Sequence, residues 1–357
     1  MTDVPRPGRR CLLAMLLTLP AAMRAGQSLG APASEVAVPF TEGPRLLVAG
    51  PSDGTLNRWA DALLPALEQS LPPTAPIHRI EVGSADGVTG ANQFEARGAP
   101  DGLTVMLAPG QAALAWMVGD PRAKFDVAHW VPVMAGTSAG IVVGRPTVLA
   151  PGGRARVAAA SPASADLAAL LGFHLLGANM EPVFGLAGHE AARSAFSQGA
   201  VDAVLLCGRG VPDQFAALAT VGAQPLFSLG VFGDSGQVMR DPAYPAVPHF
   251  AELYAARGGT QPDDKLRSAW SATAAAAQLE FGLVLPQLTP AAMVALWRRA
   301  GLDAVASLGV RATAATVDVR PLGGPAATAN TTALAASAPT LQELRQWLAD
   351  RFNWRPA

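Results

Sequence analysis

Cysteine is nearly absent. The 357 residues hold two, Cys11 and Cys207, so a zinc site built on paired cysteines is excluded. Charge is also scarce, at 15% of residues, and nearly balanced, with a formal net charge of −1 at pH 7. That excludes the basic surface of a nucleic-acid or polyphosphate binder. The five histidines, His78, His129, His174, His189 and His249, are scattered. No His-Glu-x-x-His pair can be drawn from them. A serine nucleophile on a strand-to-helix elbow is not expected. Gly83-Ser84-Ala85-Asp86-Gly87 lacks the ordered glycines of a dinucleotide fingerprint. Half of the residues are hydrophobic, too apolar for a disordered chain and enough for sizeable cores.

Long apolar runs are missing except at the start. Arg6, Arg9 and Arg10 precede Cys11–Met23, which is too short to span a bilayer comfortably. Small residues follow, including Ala31-Pro32-Ala33. The pattern predicts a cleaved secretory signal within residues 1–33, cut between Ala25 and Ala33; a retained membrane anchor is the alternative. Two adjacent arginines do not by themselves establish a twin-arginine route. Removing residues 1–25 takes away Arg6, Arg9, Arg10, Arg24 and Asp3, so the formal charge moves from −1 to −4. Only Cys207 then remains, and no internal disulfide can form.

The mature part reads as repeated strand, loop and helix. Arg45–Gly50 is a buried strand, and Leu56, Trp59, Ala60, Leu63, Leu64 and Leu67 share a helical face. Pro65 is expected to bend or interrupt that helix. Residues 77–82 form a second strand, 83–90 a Gly-rich turn, 91–97 a short helix and 103–107 a buried strand. Such alternation predicts an α/β sheet with parallel strands. Ligands of such sheets bind at the strands' C-terminal ends, which places loops 50–55 and 83–90 on one rim. Farther along, strands are expected at 140–144, 156–160, 201–206 and 224–229. Helices are expected at 110–117, 165–171, 189–196, 265–279 and from Thr289-Pro290 onward. Residues 323–338, rich in Ala, Thr and Gly, read as a loose insertion, followed by an amphipathic helix carrying Leu341, Leu344, Trp347, Leu348 and Phe352.

Several segments resemble one family. Ala99-Pro100-Asp101-Gly102-Leu103-Thr104 follows the Gly-rich turn and resembles an Ala-Pro-Asp-Gly-Tyr-Thr motif. Gly199-Ala200-Val201-Asp202 resembles Gly-Gln-Val-Asp before a strand. Asp241-Pro242-Ala243-Tyr244-Pro245-Ala246-Val247-Pro248 resembles Pro-x-x-Pro-x-Val-Pro-Thr. In that order, over residues 36–310, they resemble the periplasmic solute receptors of tripartite tricarboxylate transporters, the Bug or TctC-like receptors. The sequence departs from that pattern at Leu56, where the family has Asp, and at Asp166, near the family's His. It departs again at Leu186-Ala187-Gly188, where the family has Tyr-Lys-Gly.

The resemblance implies a two-lobed α/β periplasmic-binding-protein fold of type II kind. Each lobe would be a mostly parallel sheet flanked by helices, with the ligand cleft between. Residues 34–135 and 235–357 would form one lobe and 136–234 the other, with crossings near 132–144 and 222–235. Candidate ligand contacts are Ser52, Asp53, Gly54 and Thr55 in the first loop, and Ser84, Ala85, Asp86, Gly87 and Thr89 in the second. Ser161, Ser164, Asp166 and Arg209 are the candidates in the other lobe. The Gly-rich turn reads equally as a plain surface turn, Ser164 as a helix cap, and the three aspartates as caps or solvent-facing turn residues. The resemblance implies small carboxylates, including citrate-like and aromatic acids, and sometimes neutral amides; the loop aspartates and the missing Tyr-Lys pair narrow the expectation to a small organic acid with one carboxylate, or a neutral or zwitterionic relative carrying an amine or amide. The implied partners are membrane transporter subunits, with no cofactor, metal or nucleic acid, and the receptor would be a monomer. A solute sensor, a receptor without its transporter and a structural envelope protein are the alternatives. A hydrolase using Cys207 with His189 and Asp202 is disfavoured, because an extended strand holds Asp202 and Cys207 about 16 Å apart.

Overall fold

The structure, a computed structural model, describes residues 43–72, 76–150, 153–257 and 264–355. The signal segment, its cleavage site, the stretch up to residue 42 and Pro151-Gly152 lie outside the described residues. In chain order the first elements are β1 (Arg45–Val48), α1 (Thr55–Ser70), β2 (His78–Glu81), α2 (Val88–Arg97), β3 (Thr104–Ala108) and α3 (Gly110–Met117). Next come β4 (Val131–Ser138), β5 (Gly140–Gly144), β6 (Arg154–Ala158), α4 (Leu167–Leu175), β7 (Asn179–Val183), α5 (His189–Ser197), β8 (Ala203–Cys207), α6 (Val211–Ala219) and β9 (Gln224–Ser228). The last are β10 (Val231–Phe232), β11 (Val238–Met239), α7 (Phe250–Ala256), α8 (Asp264–Gln278), β12 (Leu279–Leu285), α9 (Ala291–Ala306), α10 (Leu308–Thr316), β13 (Val319–Gly323), α11 (Gly324–Leu334) and α12 (Ala338–Phe352).

Two main sheets result. The first runs β13-β4-β12-β3-β1-β2 and the second β7-β6-β8-β5-β9, with β10 and β11 as a small antiparallel pair. The expectation of mostly parallel sheets is corrected. Pairing is parallel only in β2-β1-β3 and β7-β6-β8. β12, β4 and β13 run antiparallel in the first sheet, and β5 pairs antiparallel with β8 and β9 in the second. Parallel neighbours need a crossover. β4 and β5 are instead separated by Ala139 alone, which carries the chain from one sheet to the other.

The period-2 alternation of the strands sorts side chains between three cores. Leu46, Val48, Val105 and Leu107 face α1, α9 and α10, whereas Leu47, Ala49, Met106 and Ala108 face the opposite side. In the second sheet Ile141, Val143, Val204 and Leu206 pack towards α5 and α6, whereas Val142, Ala203 and Leu205 point away from them. The inner faces of both sheets join one continuous apolar cluster, to which α3, α4, α8 and α12 contribute. Aromatic contacts tie it together: Phe250 stacks on Trp270 at 4.0 Å and meets Phe227 edge-on at 6.0 Å.

Local expectations fail in four instructive places. Pro65 does not interrupt α1, which runs on to Ser70 because Leu63, Ala66 and Leu67 bury their face while Pro65 sits on the exposed side. α2 begins at Val88 rather than near 91, so Thr89 and Gly90 belong to the helix. A Cβ on Gly90 would lie 2.6 Å from the Ala49 Cα, so only glycine lets α2 lie this close to the end of β1. α4 begins at Leu167, after a series of turns. Residues 323–338 are not loose: most of them form α11, which buries Ala327, Asn330, Thr331 and Leu334.

Within the second sheet Asp202 accepts hydrogen bonds from the Arg156 guanidinium at 2.7 and 2.8 Å and from its N–H at 3.2 Å. These donors hold its carboxyl below the ordinary value of 3.8, against a raising effect of burial. A carboxylate with a depressed folded-state pKa adds stability above its unfolded value and loses it as pH falls through the folded value. Asp202→Asn is therefore expected to flatten the fall of melting temperature as pH drops below about 4. An unchanged slope across that window would contradict the assignment.

Candidate functional site

The C-terminal ends of β1 and β3 and the start of β12 converge on a recess of about 250 Å³. Gly54, Thr55 and Leu56 bring the first turn of α1 to its wall, and Pro109, Gly110 and Gln111 bring that of α3. Neither helix has a side-chain cap, so first-turn N–H groups are left for another acceptor. Gly110 is forced by close packing: a Cβ there would lie 2.0 Å from the Ala276 carbonyl oxygen. Ala165 comes from the other sheet's side, and the Gln111 side chain donates across to the Ala163 carbonyl at 3.1 Å.

Glu280 is the acidic group of this wall. Its side chain is 15% exposed, its Oε1 has no hydrogen-bond partner, and Arg209 Nε stands 3.8 Å away. No motif in the sequence marks it. The available signal was a single acid inside the apolar run Leu279-Glu280-Phe281-Gly282-Leu283-Val284-Leu285, where charge is costly to bury. Asp166 follows the wall residue Ala165 but does not itself line the recess. Burial raises its pKa, although it accepts from the Ala160 N–H and the Ser164 hydroxyl at 2.9 and 2.8 Å.

The predicted contacts divide. Gly54, Thr55 and Ala85 line the recess. Ser52 and Asp53 are exposed and are not part of its wall. Asp86 is held outside it, accepting from Ser84 and the Val88 N–H and paired with Arg122 at 2.9 Å. Gly87 takes the left-handed turn at the start of α2 (φ 74°), and Thr89 is exposed on that helix. Ser161 and Ser164 bond within their own loop: Ser161 Oγ accepts from the Ala163 N–H, and Ser164 Oγ accepts from the Ser161 N–H while donating to Asp166. Arg209 is not part of the recess wall; it faces the wall residue Glu280 at 3.8 Å, so its charge is shared.

Two nucleophile readings fail on geometry. Cys207 is half-buried at the end of β8, and its thiol is pushed up to about 12, first by burial and then by the fields of Asp166 and Glu280. It stays protonated at neutral pH and is a poor nucleophile. Gly136-Thr137-Ser138-Ala139-Gly140 does match elbow spacing, contrary to expectation. Yet it joins two strands rather than a strand and a helix. Ser138 is 1% exposed, and its hydroxyl donates to the Gln278 carbonyl and accepts from the Gly208 N–H. Among the described residues no group of three His, Cys, Asp or Glu could hold a metal ion.

These features define an α/β protein of two sheet-containing lobes flanked by helices. The chain is similar in fold to a TctC solute-binding protein from Polaromonas, solved without ligand. The TM-score is 0.64 at 16% identity, covering 87% of this chain and 99% of the other. MatC from Rhodopseudomonas palustris with bound malate aligns at TM-score 0.47 and 20% identity, covering 87% of this chain and 99% of the other. The periplasmic binding protein BugD aligns at 0.45 and 14%, covering 87% and 96%. No family model and no curated protein matches the sequence.

Proposed function

We propose that this chain is an extracytoplasmic solute-binding receptor whose recess takes a small monocarboxylate bearing an amine or amide. The observation that carries the reading is the recess itself. Uncapped first turns of α1 and α3 stand on the same walls as Glu280, whose Oε1 has no hydrogen-bond partner. A carboxylate suits the helix ends, and an N–H donor suits Glu280. A polycarboxylate would meet Glu280 on the wall, and the guanidinium beside that acid, Arg209, is already shared with it. In this proposal residues 34–135 and 235–357 form one lobe, 136–234 the other, and ligand contacts from both favour the closed state. Membrane subunits of a tripartite tricarboxylate-type importer would read that state, and the exported chain would work as a monomer in the periplasm.

The test is a thermal-shift screen of the mature protein against monocarboxylates, amino acids, nicotinamide-like amides, dicarboxylates and citrate, with calorimetry on the hits. A true ligand at a hundredfold excess over its Kd is expected to stabilise the fold by about 2.7 kcal/mol. Citrate binding more tightly than every amine- or amide-bearing monocarboxylate would overturn the proposal.

A further inference from the structure

We propose a second binding site, separate from the recess, in which the cavity over Asp241 takes a small primary ammonium group. This cavity, of about 220 Å³, lies between β13 and the N-terminal end of α6. Asp241 belongs to its wall and is 1% exposed. Its Oδ1 accepts from the Ala243 N–H at 2.9 Å and faces Arg320 Nη1 at 3.9 Å, but its Oδ2 has no partner. The buried hydroxyl of Tyr244, on the same wall, is also unpartnered. A carboxylate oxygen removed from water without a hydrogen bond is strongly destabilising unless a donor reaches it. Two unsatisfied acceptors on one wall therefore point to an occupant that donates hydrogen bonds.

Charge fixes the sign of that occupant. Asp318 is exposed, and it also borders the cavity. Two carboxylates against the one guanidinium of Arg320 leave one negative charge. Burial and the fields of Asp241 and Asp318 raise the Tyr244 pKa, so its phenol stays neutral and able to accept an N–H. The three acceptors match the three N–H bonds of a primary ammonium. A hard metal ion of the calcium type is the poorer fit, because it asks for six to eight oxygens and Val211 and Val319 supply only apolar wall. The same apolar wall suits an alkyl group on the ammonium.

Calorimetry and thermal shift with methylammonium chloride, against tetramethylammonium chloride at equal ionic strength, test the site on the mature protein. Methylammonium is expected to raise the melting temperature, and tetramethylammonium, which has no N–H, is not. Tyr244→Phe and Asp318→Asn, which leave the buried Asp241 in place, are each expected to weaken methylammonium binding about tenfold. Glu280→Gln, in the other cavity, is expected to leave it unchanged. Equal shifts from the two salts, full binding in both the Tyr244 and Asp318 variants, or loss of binding in the Glu280 variant would each overturn the site.

Discussion

Replacing Trp270 by Ala is expected to cost about 3–5 kcal/mol of stability, the range for deleting a large buried aromatic. For a chain of this size that means a fall in melting temperature on the order of 10 °C. Trp270, on α8, is 2% exposed and stacks on Phe250 of α7. A Cβ on Gly172 of α4 would lie 3.3 Å from its Nε1, so α4 passes directly against the ring. Phe250 in turn meets Phe227 of β9, which meets Phe173 of α4. Trp270 thus sits where helices following the second sheet return against it, inside the cluster that also holds Met106 and Ala108 of the first. Because the cluster is continuous, the wild type is expected to unfold in one calorimetric transition, and the variant in one transition at lower temperature. Urea denaturation of both proteins measures the difference. A loss under about 1 kcal/mol would show that the site collapses around the missing ring or was never tightly packed.

How much of this was legible in the sequence follows from what kind of information each feature needs. Burial alternation in β1 and β3 is written in successive residues, and so is the helix at 110–117, bounded by Pro109 and Gly119. Strand direction is not local. The apolar run Leu279–Leu285 carries no signal of direction, and only its insertion between β3 and β4 makes it antiparallel to both. The Ala- and Thr-rich run of α11 has almost no amphipathic pattern, so its helix depends on packing against β4 and α8. The same division applies to the site. Gly54, Thr55 and Ala85 were found because glycine-bearing loops after strands mark a rim. Asp53 and Asp86 sit in those loops too, but sequence position does not say which way a side chain turns, and Arg122, 36 residues farther on, claims Asp86. Glu280 and Asp241 were missed because a lone acid between apolar or proline-rich neighbours carries no motif. Their significance is in the partners they lack.

Glu280→Gln is the decisive substitution for the recess. It keeps the size of the side chain and removes the charge, so an amine-bearing monocarboxylate is expected to lose roughly 2 kcal/mol of binding, about thirtyfold in Kd. The change also releases Arg209, whose nearest acid is Glu280 at 3.8 Å. A freed guanidinium can then take a second carboxylate as a fork. Dicarboxylates are therefore expected to bind the variant more tightly than the wild type, which reverses the order of preference. Asp166 supplies a pH check within the same experiment. Burial raises its pKa, so it is protonated at a higher pH than an ordinary aspartate. Negative charge next to the wall residue Ala165 is thus lost as pH falls through that raised value. Affinity for an amine-bearing ligand is expected to weaken there, and affinity for a carboxylate without an amine to strengthen. Calorimetric titration of both ligand types into both proteins, near neutral pH and again in the acidic range, measures all of these changes. If the amine-bearing ligand binds wild type and variant alike while dicarboxylates gain nothing, Glu280 does not contact the solute and the recess is not its site.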